Sequence, residues 1–231
     1  MIKFFRGLKN SYSTKKHKEG IYFATDTKEI LMNGGVYTGP KQDKCEHHWL
    51  DVVATVEEAF SNGGMVTLSE DKVITESLVV KPGVSAVLDL SEYSINNNNT
   101  SQSKNFAITV EDGGKLTIKG SGTINGGSGF NNVALVVYGD CVIESGNFTV
   151  GVDAEGLGNS CIEVNGGTLE ISGGTFSTEN AYNGKYFVLN KKDNSDSVIS
   201  VTGGTFINYD PSNSTTENPS QNFVANGYKS V

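Results

Sequence analysis

The chain has 231 residues, 36% of them hydrophobic, with 28 glycines, 4 prolines and a charged fraction of 19%, below the usual quarter. Its length fits one large domain or one domain with an appendage, and no run approaches the roughly 20 apolar residues of a membrane span. A formal net charge of −8 at pH 7 argues against a generic nucleic-acid surface, which needs clustered Lys and Arg.

The basic side chains are unevenly placed. Lys3, Arg6, Lys9, Lys15, Lys16 and Lys18 all precede the first acid, Glu19, so the terminus reads as a basic arm suited to an acidic partner surface. The first ten residues hold no apolar stretch of signal-peptide length, and the expectation is a chain made in a cytoplasm without a conventional leader. In IYFATDTKEILMNGGVYTG (21–39), Ile21 alternates with Phe23 and Ile30 with Met32, with a turn between them and Asn33-Gly34-Gly35 after. That is a hairpin pattern. Two strands make no core alone, so residues 1–40 are expected to pair with the main domain or with another chain.

Residues 41–64 form a linker and a capping helix. Cys45, His47 and His48 put three soft ligands within four residues. Tetrahedral zinc needs a second pair, which the sequence lacks, so the cluster reads as a loop or helix start, with Trp49 as a cap or interface anchor. Leu50, Val53, Val56, Ala59 and Phe60 fall at helical spacing. They predict one amphipathic helix of about three turns over residues 50–60, ended by Asn62-Gly63-Gly64.

Residues 65–206 are strand and turn throughout, and they repeat. MVTL (65–68), LVV (78–80) and AVLDL (86–90), with Ile95, read as one or two irregular opening turns. FAITV (106–110), VALVVYG (133–139), CIEVNG (161–166) and YFVLN (186–190) then recur, with Ile108, Leu135 and Ile162 equivalent at intervals of 27 and 27. A second strand follows each, closing on Ile124, Phe148, Phe176 and Phe206 at intervals of 24, 28 and 30. A single such coil cannot bury its apolar face, whereas stacked coils bury a continuous inner column. Leu116 and Ile118, Leu169 and Ile171, and Ile199 and Val201 are expected to point inward. Thr117, Lys119, Glu170, Ser172, Ser200 and Thr202 are expected to point outward. The fold class is all-β, a right-handed parallel β-helix with an N-terminal capping α-helix and a β-rich N-terminal arm. The tail, 207–231, loses the repeat and gains Pro211 and Pro219, and it is placed to cover the last coil's open edge.

The repeated Gly-Gly-Thr, at 166–168, 173–175 and 203–205, raises the question of a ligand loop. A phosphate loop needs a following Lys and a helix, and a calcium nonapeptide repeat needs an Asp; neither is present. The motif reads as a coil corner. Cys141 and Cys161 read as small core residues. Asn96–Asn99 reads as a polar loop or an Asn ladder. Glycoside hydrolysis needs a carboxylate pair, for which Glu144, Glu163, Glu170, Asp153 and Glu155 are the candidates. Tyr182, Tyr186, Tyr209 and Tyr228, taken as exposed, are candidates for stacking on sugars. No catalytic residue, cofactor or metal site is assigned.

Residues 4–39, with IYFATDTKEILMNG, resemble the N-terminal segment of fibre and other virion proteins of gut Bacteroides phages, including crAss-like phages. VTGGTFINYDP…NFVANGY (201–228) is similar to the end of β-helical modules of the same group, and the coils between look like the pectate-lyase-like β-helix superfamily. The resemblance implies a virion protein, a head-fibre or short tail-fibre component. It implies a homotrimer, with capsid or tail proteins as partners and another fibre protein distally; host surface glycan is the partner of the alternative reading. On this reading Lys3, Phe4, Phe5, Arg6, Tyr12, Tyr22 and Phe23 anchor the chain to the particle. The alternative is a carbohydrate-binding or depolymerase spike.

Overall fold

A computed structural model of the chain describes residues 51–99, 105–129, 131–152, 159–179 and 181–231. The hairpin expected at 21–39 lies outside them. Among the described residues there is one short helix, α1 (Val56–Asn62), followed by seventeen strands that pair only in parallel. In chain order the strands are β1 (Gly64–Thr67), β2 (Lys72–Ile74), β3 (Leu78–Val80), β4 (Ser85–Asp89), β5 (Ser94–Asn97) and β6 (Asn105–Val110). Then come β7 (Lys115–Lys119), β8 (Thr123–Asn125), β9 (Asn132–Val137), β10 (Asp140–Ile143), β11 (Asn147–Val150) and β12 (Ser160–Val164). The last are β13 (Thr168–Ile171), β14 (Thr175–Thr178), β15 (Leu189–Lys191), β16 (Val198–Val201) and β17 (Thr205–Phe206).

Every third strand stacks on the one before. The first sheet runs β1-β4-β7-β10-β13-β16, the second β2-β5-β8-β11-β14-β17 and the third β3-β6-β9-β12-β15. The chain is therefore a parallel β-solenoid of five full turns with three strands each, and a partial sixth. The column Leu78–Ile108–Leu135–Ile162–Leu189 stands in register, as does Ile95–Ile124–Phe148–Phe176–Phe206. The inward and outward alternation of the first sheet is the one read from the sequence: Leu116, Ile118, Leu169, Ile171, Ile199 and Val201 are buried. Phe148, Phe176 and Phe206 form a ring stack with centroids 5.1 and 4.9 Å apart.

Two expectations change. The opening turns are regular: β1, β4 and β5 hold the same register as later strands. The short KVI strand, β2, completes the first turn and was not anticipated, because its Lys72 occupies an inward register position beside Ile95. The helix has seven residues and starts at Val56, not at 50. Thr55 is extended, with φ −131° and ψ 154°, and its Oγ1 accepts from Glu58 N at 3.1 Å. Glu58 reaches back to Ala54 N at 3.3 Å, in the manner of a capping box. The residues before it form a single parallel bridge to β1 instead: Val53 N donates to Met65 O at 2.9 Å and Met65 N to Asp51 O at 2.8 Å. Val53 fits helical spacing, but the β-branched side chains of Val52 and Val53 suit this extra rung better.

Both open ends are partly covered by the chain itself. At the start, α1 buries Val56, Ala59 and Phe60 on the first coil, and Lys81 N donates to Phe60 O at 3.0 Å. At the finish, Val201 N donates to Phe223 O at 2.8 Å and Ala225 N to Val201 O at 2.9 Å, with Phe223 buried. Glu217 Oε1 accepts from Lys191 N at 3.0 Å, and the Thr216 hydroxyl donates to Leu189 O. Burial, and then the charge of Asp193, raise the Glu217 carboxyl above its ordinary pKa. These bonds occupy backbone groups at the edges of β15 and β16 that would otherwise template pairing with another chain.

Candidate functional site

The Gly-Gly-Thr corner is set by crowding. A Cβ on Gly173 would sit 2.4 Å from Glu144 O of the coil below, and Gly174 takes φ +103°. Thr175 then begins β14 rather than a helix, so no phosphate-cradling terminus follows. The corner turns the chain and brings Phe176 into its column.

The candidate carboxylates are dispersed. Glu144 follows β10 and is exposed; Glu170 lies on β13, level with Val142 and Ser200. The two share a sheet face but stand diagonally, not in one rank. Glu163 belongs to the third sheet, level with Val136 and Asn190. Asp153 and Glu155 lie outside the described residues. A shallow groove of about 430 Å³ crosses the outer face of the first sheet, floored by Val87, Thr117 and Val142 and reaching Glu170. Its charges pair along the stacking direction, Lys115 with Asp140 at 3.3 Å, and Lys119 with Asp89 at 3.6 Å just beside it. Exposed pairs of this kind contribute little stability.

The four tyrosines are not a common platform. Tyr228 is exposed, but Tyr182 and Tyr186 are half-buried, and Tyr182 packs on Phe187 with ring centroids 6.3 Å apart. Tyr209 packs against Phe206 at 6.2 Å, and its hydroxyl donates to Ser214 Oγ at 2.8 Å. Burial, with nearby Glu217 and Asp210, pushes the Tyr209 phenol well above its ordinary pKa. Tyr209 thus belongs to the C-terminal cap.

Cys141 and Cys161 are fully buried, as small core residues should be. Cys161 Sγ donates to Phe148 O at 3.3 Å, and burial pushes its pKa up to about 12; Cys141 is raised by the same cause. In a Cys45→Ser protein, neither thiol should react with iodoacetamide at pH 8 until denaturant is added. Labelling of the native protein at a free-thiol rate would contradict this burial.

The Asn ladder lies elsewhere than Asn96–Asn99 alone. Asn105, Asn132 and Asn159 are buried at the start of or just before β6, β9 and β12. Asn132 N donates to Asn159 Oδ1 at 3.0 Å, and Asn159 Nδ2 to Gly151 O at 2.9 Å. Asn97 joins the corner, donating to Gly126 O at 3.0 Å. The signal was present in the sequence: each of the three asparagines stands three residues before Ile108, Leu135 or Ile162.

Lys3, Phe4, Phe5, Arg6, Tyr12, Tyr22 and Phe23 lie outside the described residues, as do Cys45, His47, His48 and Trp49. Among the described residues, no three His, Cys, Asp or Glu side chains gather to hold a metal ion, and no helix is long and apolar enough to cross a membrane. No family model, curated protein or solved structure matches the chain significantly.

Proposed function

We propose that the chain is a structural virion protein, a component of a head fibre or short tail fibre, held to the particle by residues 1–40 and projecting its solenoid as a rigid spacer. The observation that supports this best is the unbroken register of five turns, partly covered by its own chain at both ends. The resemblance of residues 4–39 and 201–228 to fibre proteins adds the particle. Several anchored copies raise the effective concentration of basic arms at a repeated, acidic lattice of capsid or tail proteins.

The glycan-binding or depolymerase reading has thinner support, since its candidate carboxylates are dispersed and Tyr209 is engaged in the cap. Deleting residues 1–40 should abolish incorporation into particles while the remaining protein keeps its β-sheet circular dichroism spectrum. Normal incorporation of the truncated chain would refute the anchoring role.

A further inference from the structure

The outward face of the second sheet differs from that of the first. One outward rank reads Val73, Asn96, Asn125, Thr149, Ser177 and Ile207 from the first turn to the last. The rank beside it, from Ser94 to Thr205, is Ser, Thr, Asn, Thr and Thr. Lys72 is the one charged residue in the strands of this sheet, and it is tied to Glu57 at 2.7 Å. The first sheet, by contrast, carries Asp89, Lys115, Lys119, Asp140 and Glu170 on its outward positions.

We propose that the second sheet is the face through which copies of this chain associate, side by side and in parallel. Residues 51–231 hold 21 acidic and 9 basic side chains. Two bodies so strongly acidic repel each other, and the strands of this sheet bring only Lys72 to the approach, with the acids Asp71 and Glu179 confined to its margins. Its chemistry also suits a partner identical to itself. Hydroxyls and carboxamides both donate and accept, so each rung can bond to the same rung of another copy. In the parallel arrangement the exposed apolar ends coincide as well. Val73, 62% exposed, meets Val73, and Ile207, 42% exposed, meets Ile207, so an apolar rung closes each end of a polar seam.

The parallel sense rests on the fibre reading, in which every N-terminal segment faces the particle. An antiparallel pair would send those segments to opposite ends. The flat part of the sheet, about five spacings of ~4.8 Å by roughly 13 Å of strand, covers on the order of 300 Å². That is short of the ~800 Å² per partner that stable complexes bury. Association is therefore concentration-dependent, and strongest where anchoring gathers the copies.

Sedimentation of the purified full-length protein over the micromolar to millimolar range tests the face. The mass should rise with concentration. Thr149→Lys should weaken self-association roughly tenfold or more, because like charges then face one another across the seam. Thr67→Lys, on the first sheet, should leave it unchanged. Should Thr149→Lys fail to fold, Ser177→Cys in a Cys45→Ser background decides the matter. Mild oxidation should link copies through residue 177, since Cys141 and Cys161 are buried and same-rung residues meet only in the parallel sense. A monomer at every concentration, a folded Thr149→Lys protein that associates normally, or an absent 177–177 link would overturn the proposal. None of these outcomes touches the anchoring role, which is read by particle incorporation.

Discussion

Phe176→Ala should cost the solenoid about 3–5 kcal/mol, among the largest losses a single side-chain truncation can cause here. The ring is fully buried and lies between Phe148 and Phe206, at interplanar angles of 16° and 15°. Its removal opens a cavity in the inner column and breaks two ring contacts, each worth ~0.5–1.5 kcal/mol beyond burial. The rungs on either side are fixed by backbone pairing of β14 to β11 and β17, so the space cannot collapse. For a domain of this size the melting temperature should fall by roughly 10 °C. Phe206→Ala should cost less, because Phe206 is only half-buried at the end of the column. Equal losses at the two positions would show that the stack does not stabilise the fold in the way its geometry implies.

The second large effect belongs to the corner. Gly167→Ala should destabilise the protein by about 3 kcal/mol or more. Two independent causes meet there. Gly167 has φ +52°, and a Cβ at this position would lie 1.8 Å from Gly139 O of the coil below. The left-handed backbone alone costs an L residue ~1–2 kcal/mol. The clash is with a backbone oxygen, so no side-chain rotation relieves it, and β10 and β13 must separate locally. Gly184 supplies the comparison, with φ +75° and nothing within 4 Å of a built Cβ. Gly184→Ala should show only the conformational part, ~1–2 kcal/mol. Chemical denaturation of both variants separates the two causes. If they unfold at the same midpoint, the close approach of the coils contributes nothing.

The repeat was legible wherever a large apolar residue marks the same place in each coil. Ile108, Leu135 and Ile162 announce the third sheet, and Ile124, Phe148, Phe176 and Phe206 the second. The first turn was harder to read because its KVI strand has a single buried residue, Ile74, and opens on Lys72. Helical spacing starts the helix too early because Leu50 and Val53 satisfy it, while Val53 N and Asp51 O bond to Met65 of β1. Spacing sees only the side chains of one segment; the extra rung depends on Met65, across the α1 helix in sequence. The asparagine column is hidden for a different reason: it consists of three single residues at equal intervals, outside the run of four asparagines at 96–99. The candidate site suffered most. Glu144 and Glu170 look equivalent in the sequence, and only the register shows that they occupy different ranks.

The strict third-strand stacking has an evolutionary consequence. Each coil stacks on the coils next to it, and the two caps bond only near the ends of the stack. Duplicating one unit in the middle, such as the 28 residues from Cys141 to Thr168 that separate register partners Cys141 and Leu169, would therefore leave every existing junction chemically unchanged. The rod would lengthen by one strand spacing, ~4.8 Å, per added coil. Reach is thus inherited as a tally of repeats, and a lineage can adjust it by recombination within the gene without reinventing either end.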